Sequence, residues 1–269
     1  MNAPRWIVTA FMVCALGGHC AVPTPAQSAG TKEIIRRANL SYDDFTKDGL
    51  IEFQCEVLPD WDSVYKSLKA DGKMTVHDEI LPFLRQTHFK VSVGHGGAST
   101  VSHESDAAPP NEQFAERIRM STSGVDQLIT GFFLVWGNFA FDPILPDAES
   151  QYELADLGDH YRLTFKQGNA DVVILMGLDY AISQTTISTP QLNAVFHPQF
   201  YRTKKGYLLS GIEGLYTAPA NTQRPFAMHI DYQEVEGFNL PSKVDSSTPF
   251  GGKMVHVQLA FTAYRIKKR

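Results

Sequence analysis

The chain has the side chains that acid–base, nucleophilic or metal chemistry uses, but not in the spacings that such chemistry needs. Nine histidines are present; His88, His95 and His103 surround one glycine-containing segment, and His160 follows Asp159. None stands four residues from a second ligand on a helical face beside a carboxylate, the spacing that aims two imidazoles at one ion. They are expected as turn and surface histidines, with no metal bound. Asp43 with Asp44, and Asp156 with Asp159, are the close carboxylate pairs; in polar turns they read as solvated groups, not as an acid and its conjugate base. "GHGGAS", Gly94 to Ser99, has the glycine content of an esterase oxyanion loop. No G-x-S-x-G elbow accompanies it to supply a nucleophile, so a hairpin turn is expected there. H-E-x-x-H, C-x-x-C and P-loop patterns do not occur. No enzyme activity and no cofactor are expected.

The unusual chemistry is apolar. "GFFLVWGNFAFDPILP", Gly131 to Pro146, holds four phenylalanines and a tryptophan without a lysine or arginine. Upstream of it, Phe114, Ile118, Val125, Leu128, Phe132, Val135, Trp136 and Phe139 recur at spacings near three and four, which predicts one helix over 111–140. Its second half is apolar on nearly every side, the mark of a helix covered all round. Asp126, Gln127, Thr130, Gly131 and Asn138 interrupt the run and Asp142-Pro143 ends it, short of the 18 or so clean apolar residues of a membrane span. Phe132, Phe133, Trp136, Phe139 and Phe141 are expected to face inward strand residues such as Tyr161, Phe165, Tyr180 and Phe226. Two readings stay open at this point: an aromatic core, or the wall of a cavity for an acyl chain or other apolar ligand.

The rest of the chain must position that helix. A helix is expected over Lys32 to Thr46, with short ones over Asp62 to Ala70, capped by Asp62, and over Asp78 to Arg85. "LIEFQCEVL" alternates Ile51, Phe53, Cys55 and Val57 against Glu52, Gln54 and Glu56, a half-buried strand that makes Cys55 a core thiol, not a nucleophile. Two strands are expected around the Gly94–Gly97 turn. After Pro146 the pattern is six or seven strands with short turns: "HYRLTFKQ", then "DVVILMGLDYAISQTTIS" as one strand, "FAMHIDYQEVEGFNLPSKVD", and "MVHVQLAFTAYRIKK" with Val255, Val257, Leu259 and Phe261 on one face. Strands following strands with no helix between them predict a single antiparallel sheet in a mainly β (α+β) fold. Its apolar face needs a cover. The expected architecture is an incomplete antiparallel β-barrel, a strongly curved sheet with helices over the concave face.

With 43% hydrophobic and 20% charged residues, the chain can bury a sizeable core. The net charge of −5 and the lack of a basic cluster beyond Lys267-Lys268-Arg269 exclude a nucleic-acid partner. Residues 1–29 read as a signal peptide: Arg5, the eleven uncharged residues Trp6 to Leu16, then small residues suited to cleavage near Ala26 to Ala29. Eleven apolar residues are too few for a membrane anchor. Lipidation at Cys20 is disfavoured by His19 before it. Export is thus expected to the periplasm, with an outer-membrane lipoprotein the lesser alternative. Cys14 and Cys20 leave with the leader, and Cys55 alone allows no internal disulfide. Residues 30–269 are expected as one domain, monomeric, and peripheral to the membrane, not integral.

The C-terminal segments "KKGYLLSGIEGLY" (Lys204 to Tyr216), "IDYQEVEGFNLPSKVD" (Ile230 to Asp245) and the closing "VHVQLAFTAYRI", with "GLIEFQCEV" near the start, resemble the periplasmic lipoprotein carriers of the LolA/LolB type. In those proteins a strand enters a Gly-x-x-Leu-Pro turn and leaves as the next strand, as Gly237, Leu240 and Pro241 are placed here. The resemblance implies a half-open barrel with a helical lid, no enzymatic activity, and an interior for a lipid or lipoprotein acyl chain, with an envelope protein as a possible partner. The stretch from Gly94 to Pro146 is longer than in the carriers. A solid-cored structural or interaction module of the envelope is the alternative function.

Overall fold

Alternating apolar and polar residues build most of this molecule. The computed structural model describes residues 29–69, 78–94, 97–141, 144–218, 222–250 and 253–269. The expected leader through Ser28, His95-Gly96 and Asp142-Pro143 lie outside them. In chain order the elements are α1 (Ala29–Leu40), β1 (Leu50–Pro59), α2 (Trp61–Lys69), a 3₁₀ turn (Asp78–Ile80) running into α3 (Leu81–Leu84), β2 (Thr87–Val93), β3 (Ser99–Ser105) and α4 (Glu112–Ala140). Nine strands follow: β4 (Tyr152–Asp156), β5 (His160–Gln167), β6 (Ala170–Gly177), β7 (Ile182–Ser188), β8 (Asn193–Arg202), β9 (Tyr207–Ala218), β10 (Thr222–Val235), β11 (Phe238–Phe250) and β12 (Lys253–Lys268). None of the described helices is long and apolar enough to cross a membrane.

Hydrogen-bonded neighbours run β3-β2-β1-β12-β11-β10-β9-β8-β7-β6-β5-β4. The twelve strands are antiparallel meanders apart from one step, where β1 pairs with β12 and so joins the two ends of the chain. β3 and β4 close the order without pairing to each other, so the ladder is open. This is a mainly β fold with an antiparallel sheet that is not closed, as expected from the strand patterns. Packing divides the chain into two compact units, one of 29–44 with Asn138–Pro225 and one of Phe45–Gly137 with Phe226–Arg269.

In the second unit β1 lies between β2 and β12, with Val57 opposite both Phe89 and Phe261. Phe53, Cys55 and Val57 are buried, as are Phe89, Val91, Val93, Val255, Val257, Leu259 and Phe261. One expectation on this face fails: a register shift between Leu50 and Glu52 buries Leu50 and leaves Ile51 exposed, because a bulge flips the alternation that follows it. The cap of α2 is also not Asp62. The Asp60 carboxylate accepts the Ser63 N–H at 3.0 Å, while Asp62 forms an ion pair with Arg85. The last turn of β11's hairpin differs too. Glu236 and Gly237, with φ of 50° and 88°, make the reversal, and Leu240 and Pro241 already belong to β11 opposite Gln233 and Tyr232.

In the first unit the sequence's single strand "DVVILMGLDYAISQTTIS" is two, β6 and β7, one of the additions that make nine strands after Pro146 among the described residues where six or seven were expected. The chain reverses through Tyr180, whose φ is 69°. Tyrosine in this left-handed region is uncommon, and the partners that hold it come from far away in sequence. The Tyr42 hydroxyl donates to the Tyr180 carbonyl at 2.9 Å and accepts the Ile182 N–H at 2.9 Å. Tyr42 is itself fixed where Ser41 and Asp43 exchange backbone hydrogen bonds with Tyr207. That crossing requires Gly206, since a Cβ there would lie 2.6 Å from the Ser41 carbonyl oxygen. On β6, Ala170, Val172, Ile174 and Met176 are buried in strict alternation.

Candidate functional site

Trp136, near the end of α4, is the centre of an aromatic cluster in the second unit. Trp136 and Phe133 are 0% exposed and Phe132 is 4% exposed. The Trp136 ring lies 5.7 Å from Phe45, 6.1 Å from Phe53, 5.9 Å from Phe133 and 6.2 Å from Phe132, centroid to centroid. Phe133 and Phe132 reach β12 through Phe261, at 5.7 and 5.5 Å. Most of these contacts are edge-to-face or tilted, the geometry that aromatic quadrupoles favour in packed interiors. The indole N–H donates to the Tyr232 hydroxyl at 3.0 Å, which satisfies the one polar group that Trp136 takes out of water. Helix and sheet approach closely because two glycines meet. Gly97, φ +73°, would place a Cβ 2.3 Å from the Phe133 carbonyl oxygen and 2.7 Å from Gly137 Cα. Gly97 of "GHGGAS" therefore serves this close approach as well as the turn into β3.

In the first unit Phe139 meets Phe200 at 5.7 Å, and Phe200 meets Tyr42 and Tyr207. Phe141 and Phe165 are buried. Tyr161 stacks on Tyr180, 6.3 Å apart and 12° from parallel, both only half-buried. Phe226, in the second unit, is half-buried on β10. Phe53 and Phe261, which with Phe45 complete the cluster around Trp136, lie on the inward faces that strand alternation gives, but no spacing in the sequence pairs them with α4. An open depression of about 470 Å³ elsewhere in the second unit is lined by Asp62, Tyr65, Lys66, Lys69 and Leu81; none of the cluster aromatics borders it.

The titratable groups that the sequence raised are placed as follows. Cys55 is buried, its thiol pushed up to about 12 by burial, with the Tyr264 hydroxyl beside it opposing the shift. A thiol this hard to ionise is a poor nucleophile. His103, on the exposed edge strand β3, stands 3.3 Å from the Asp126 carboxylate of α4. Burial raises the Asp126 pKa and the His103 ring opposes that shift. On β11 and β12 an arrangement absent from the sequence reading appears: Ser247 Oγ lies 3.3 Å from His256 Nδ1, and His256 Nε2 lies 3.8 Å from Asp245 Oδ1. Partial burial would raise the Asp245 pKa, but hydrogen bonds from Gln258 and Lys243 hold it below the usual carboxylate value. The 3.8 Å gap is too long for the hydrogen bond that orients a catalytic histidine, and both Lys243 and Gln258 already occupy the carboxylate. The group reads as a polar network on a strand surface.

No family model matches this chain, and no curated protein does. Among solved structures it is similar to a LolA superfamily protein from Nitrosomonas europaea, with 9% identity over 91% of this chain and 96% of that one, and a TM-score of 0.32.

Proposed function

We propose that this protein is an exported, periplasmic binding protein for a lipid or a lipoprotein acyl chain, acting as a non-enzymatic carrier. The observation that carries the proposal is the open antiparallel order of twelve strands in a chain whose one long helix is aromatic-rich. Eight strands already make an interior that side chains just fill; a longer antiparallel ladder served by few helices favours space for an apolar ligand. In this reading the aromatic side of α4, with Phe132, Phe133 and Trp136, forms part of the wall. The chain starts its mature life near residue 30 as a single monomeric envelope domain, peripheral to the membrane. A protein partner of the envelope would load or receive the cargo.

One observation favours a second reading. Trp136 is fully enclosed, its indole N–H bonded and its ring within 6.2 Å of four others, which is how a solid core packs. An environment-sensitive fatty-acid probe and Trp136→Ala separate the two. For a carrier, the probe binds the native protein and the substitution weakens binding while leaving the unfolding midpoint nearly unchanged. For a solid-cored module, no probe binds and the substitution costs about 3–5 kcal/mol in denaturant unfolding, as buried aromatic truncations do. That second outcome would sink the carrier.

A further inference from the structure

The first unit has two ends with different chemistry. Hairpins β4–β5, β6–β7 and β8–β9 all reverse at one end, through 157–159, 178–181 and 203–206. There Leu157 is 51% exposed and Leu178 53%. They are on neighbouring turns, since the Leu157 N–H bonds to the His160 carbonyl and His160 pairs with Gly177. Beside them Tyr161 and Tyr180 stack with their rings half-exposed. The exit of α1 reaches the same end, because Ser41 and Asp43 bond to Tyr207 just past the third turn. This places Leu40, 62% exposed, and Arg37 nearby. The third turn carries the exposed pair Lys204 and Lys205. At the opposite end the turns at 168–169 and 189–192 carry an ion pair, Lys166 with Asp171, and no exposed leucine among the described residues; the exposed leucine nearest them is Leu215, within β9 opposite Val195 and not at a turn tip.

Reverse turns ordinarily carry small and polar residues. Leucines at two adjacent tips, with tyrosines behind them, are the composition of a surface that enters a bilayer interface, where aromatic rings sit at headgroup level. The charges fit an anionic one. Four acids at this end have a partner inside the unit: Asp159 with His160, Asp179 with the Tyr207 hydroxyl and the Ala181 N–H, Asp156 with the Gly158 N–H, and Glu33 with Arg37. The lysines stand at the tip of their turn.

We infer that this end of the first unit docks on an anionic phospholipid surface, with Leu40, Leu157 and Leu178 entering the interface and Lys204 and Lys205 meeting the phosphates. The inference does not rest on a ligand cavity. The test is co-sedimentation of protein purified after expression of the full chain with vesicles of phosphatidylglycerol and phosphatidylcholine, and with phosphatidylcholine alone. The protein should pellet with the mixed vesicles and far less with the neutral ones. Leu157→Glu with Leu178→Glu should weaken binding by about tenfold or more, and Lys204→Glu by about fivefold. All three sites are exposed, so an unchanged far-UV spectrum and melting temperature are expected. Failure of the wild type to pellet, equal binding to neutral vesicles, or undiminished binding by the leucine variant would each overturn the inference. So would a wild-type dimer, seen without vesicles, that the leucine variant breaks, since the face would then be covered by a second copy. Binding of a soluble fatty-acid probe should be the same in wild type and variants, so its loss or absence tests the carrier and leaves the vesicle result standing.

Discussion

Cys55 shows how local burial decides chemistry. It alternates with Phe53 and Val57 on the inward face of β1, and burial pushes its thiol to about 12. A thiol reagent at pH 8 should therefore leave Cys55 unmodified in the native protein and label it fully in denaturant; rapid native labelling would contradict the register of β1. Gly97 is constrained in a different way. Its positive φ alone disfavours any other residue, and the Phe133 carbonyl oxygen occupies the place of a Cβ. Gly97→Ala should cost about 2–4 kcal/mol, the sum of a left-handed conformation and overpacking, read from the shift in urea midpoint. Asp126 gives a pH signature. Its folded-state pKa is raised, mainly by burial, so the folded chain binds this proton more tightly than the unfolded one does. Ionising Asp126 thus costs stability as pH rises through the folded value, and the cost vanishes below the unfolded value. Asp126→Asn should gain on wild type between pH 4 and pH 7, measured as the difference of their unfolding free energies at each pH; a difference that is constant with pH would refute the raised value.

At the scale of elements, what was legible in the sequence is what has a period. α4 was expected over 111–140 and spans Glu112–Ala140; β5, β12 and, beyond Ile51, β1 follow the faces that their alternation gave. The failures come from interactions that no local pattern encodes. "GLDYA" reads as a continuing strand because tyrosine and leucine favour strands and no glycine or asparagine marks the left-handed position. Tyr180 nevertheless turns the chain, since Tyr42, 138 residues away, bonds its carbonyl and the following strand's N–H. The α2 cap was misplaced by two residues for a smaller reason: Asp60 and Asp62 are both plausible caps in sequence, and only the path of the chain out of β1 selects Asp60. Its N–H is held by the Gln258 carbonyl of β12, which leaves its carboxylate aimed at Ser63. Asp60→Ala should destabilise the protein by about 1 kcal/mol, while Asp62→Ala, losing an exposed ion pair with Arg85, should cost less than about half of that; a larger loss at Asp62 would reverse the assignment. The partners of Trp136 were hidden in the same way as Tyr180's. An aromatic-rich helix is visible by composition, but Phe45, Phe53, Phe261 and Tyr232 come to it from a loop and three strands.

At the scale of the whole molecule, the chain order itself constrains how the fold is closed. Ten of the eleven strand pairings join neighbours in sequence, but β1 must find β12 across 194 residues, from Pro59 to Lys253 at the nearest, and these two strands bring Phe53 and Phe261 into the aromatic cluster. Long-range closure of this kind is slow; on the proposed route through a leader peptide, the chain would complete it outside the cytoplasm. The order of events then links export to cargo. If the leader at 1–29 directs secretion, N-terminal sequencing of the protein from the envelope should find a start between Gln27 and Gly30, and finding Met1 or an acylated Cys20 would refute this. If the folded chain then carries lipid, native mass spectrometry of the same preparation should show an additional mass of several hundred daltons, on the scale of one or two acyl chains in a ligand pocket. That mass should disappear under denaturing conditions, because nothing in the reading is covalent. An unmodified mature mass under native conditions, with the leader correctly removed, would mean that the protein reaches the envelope without cargo, and the enclosed packing around Trp136 would then describe its interior in full.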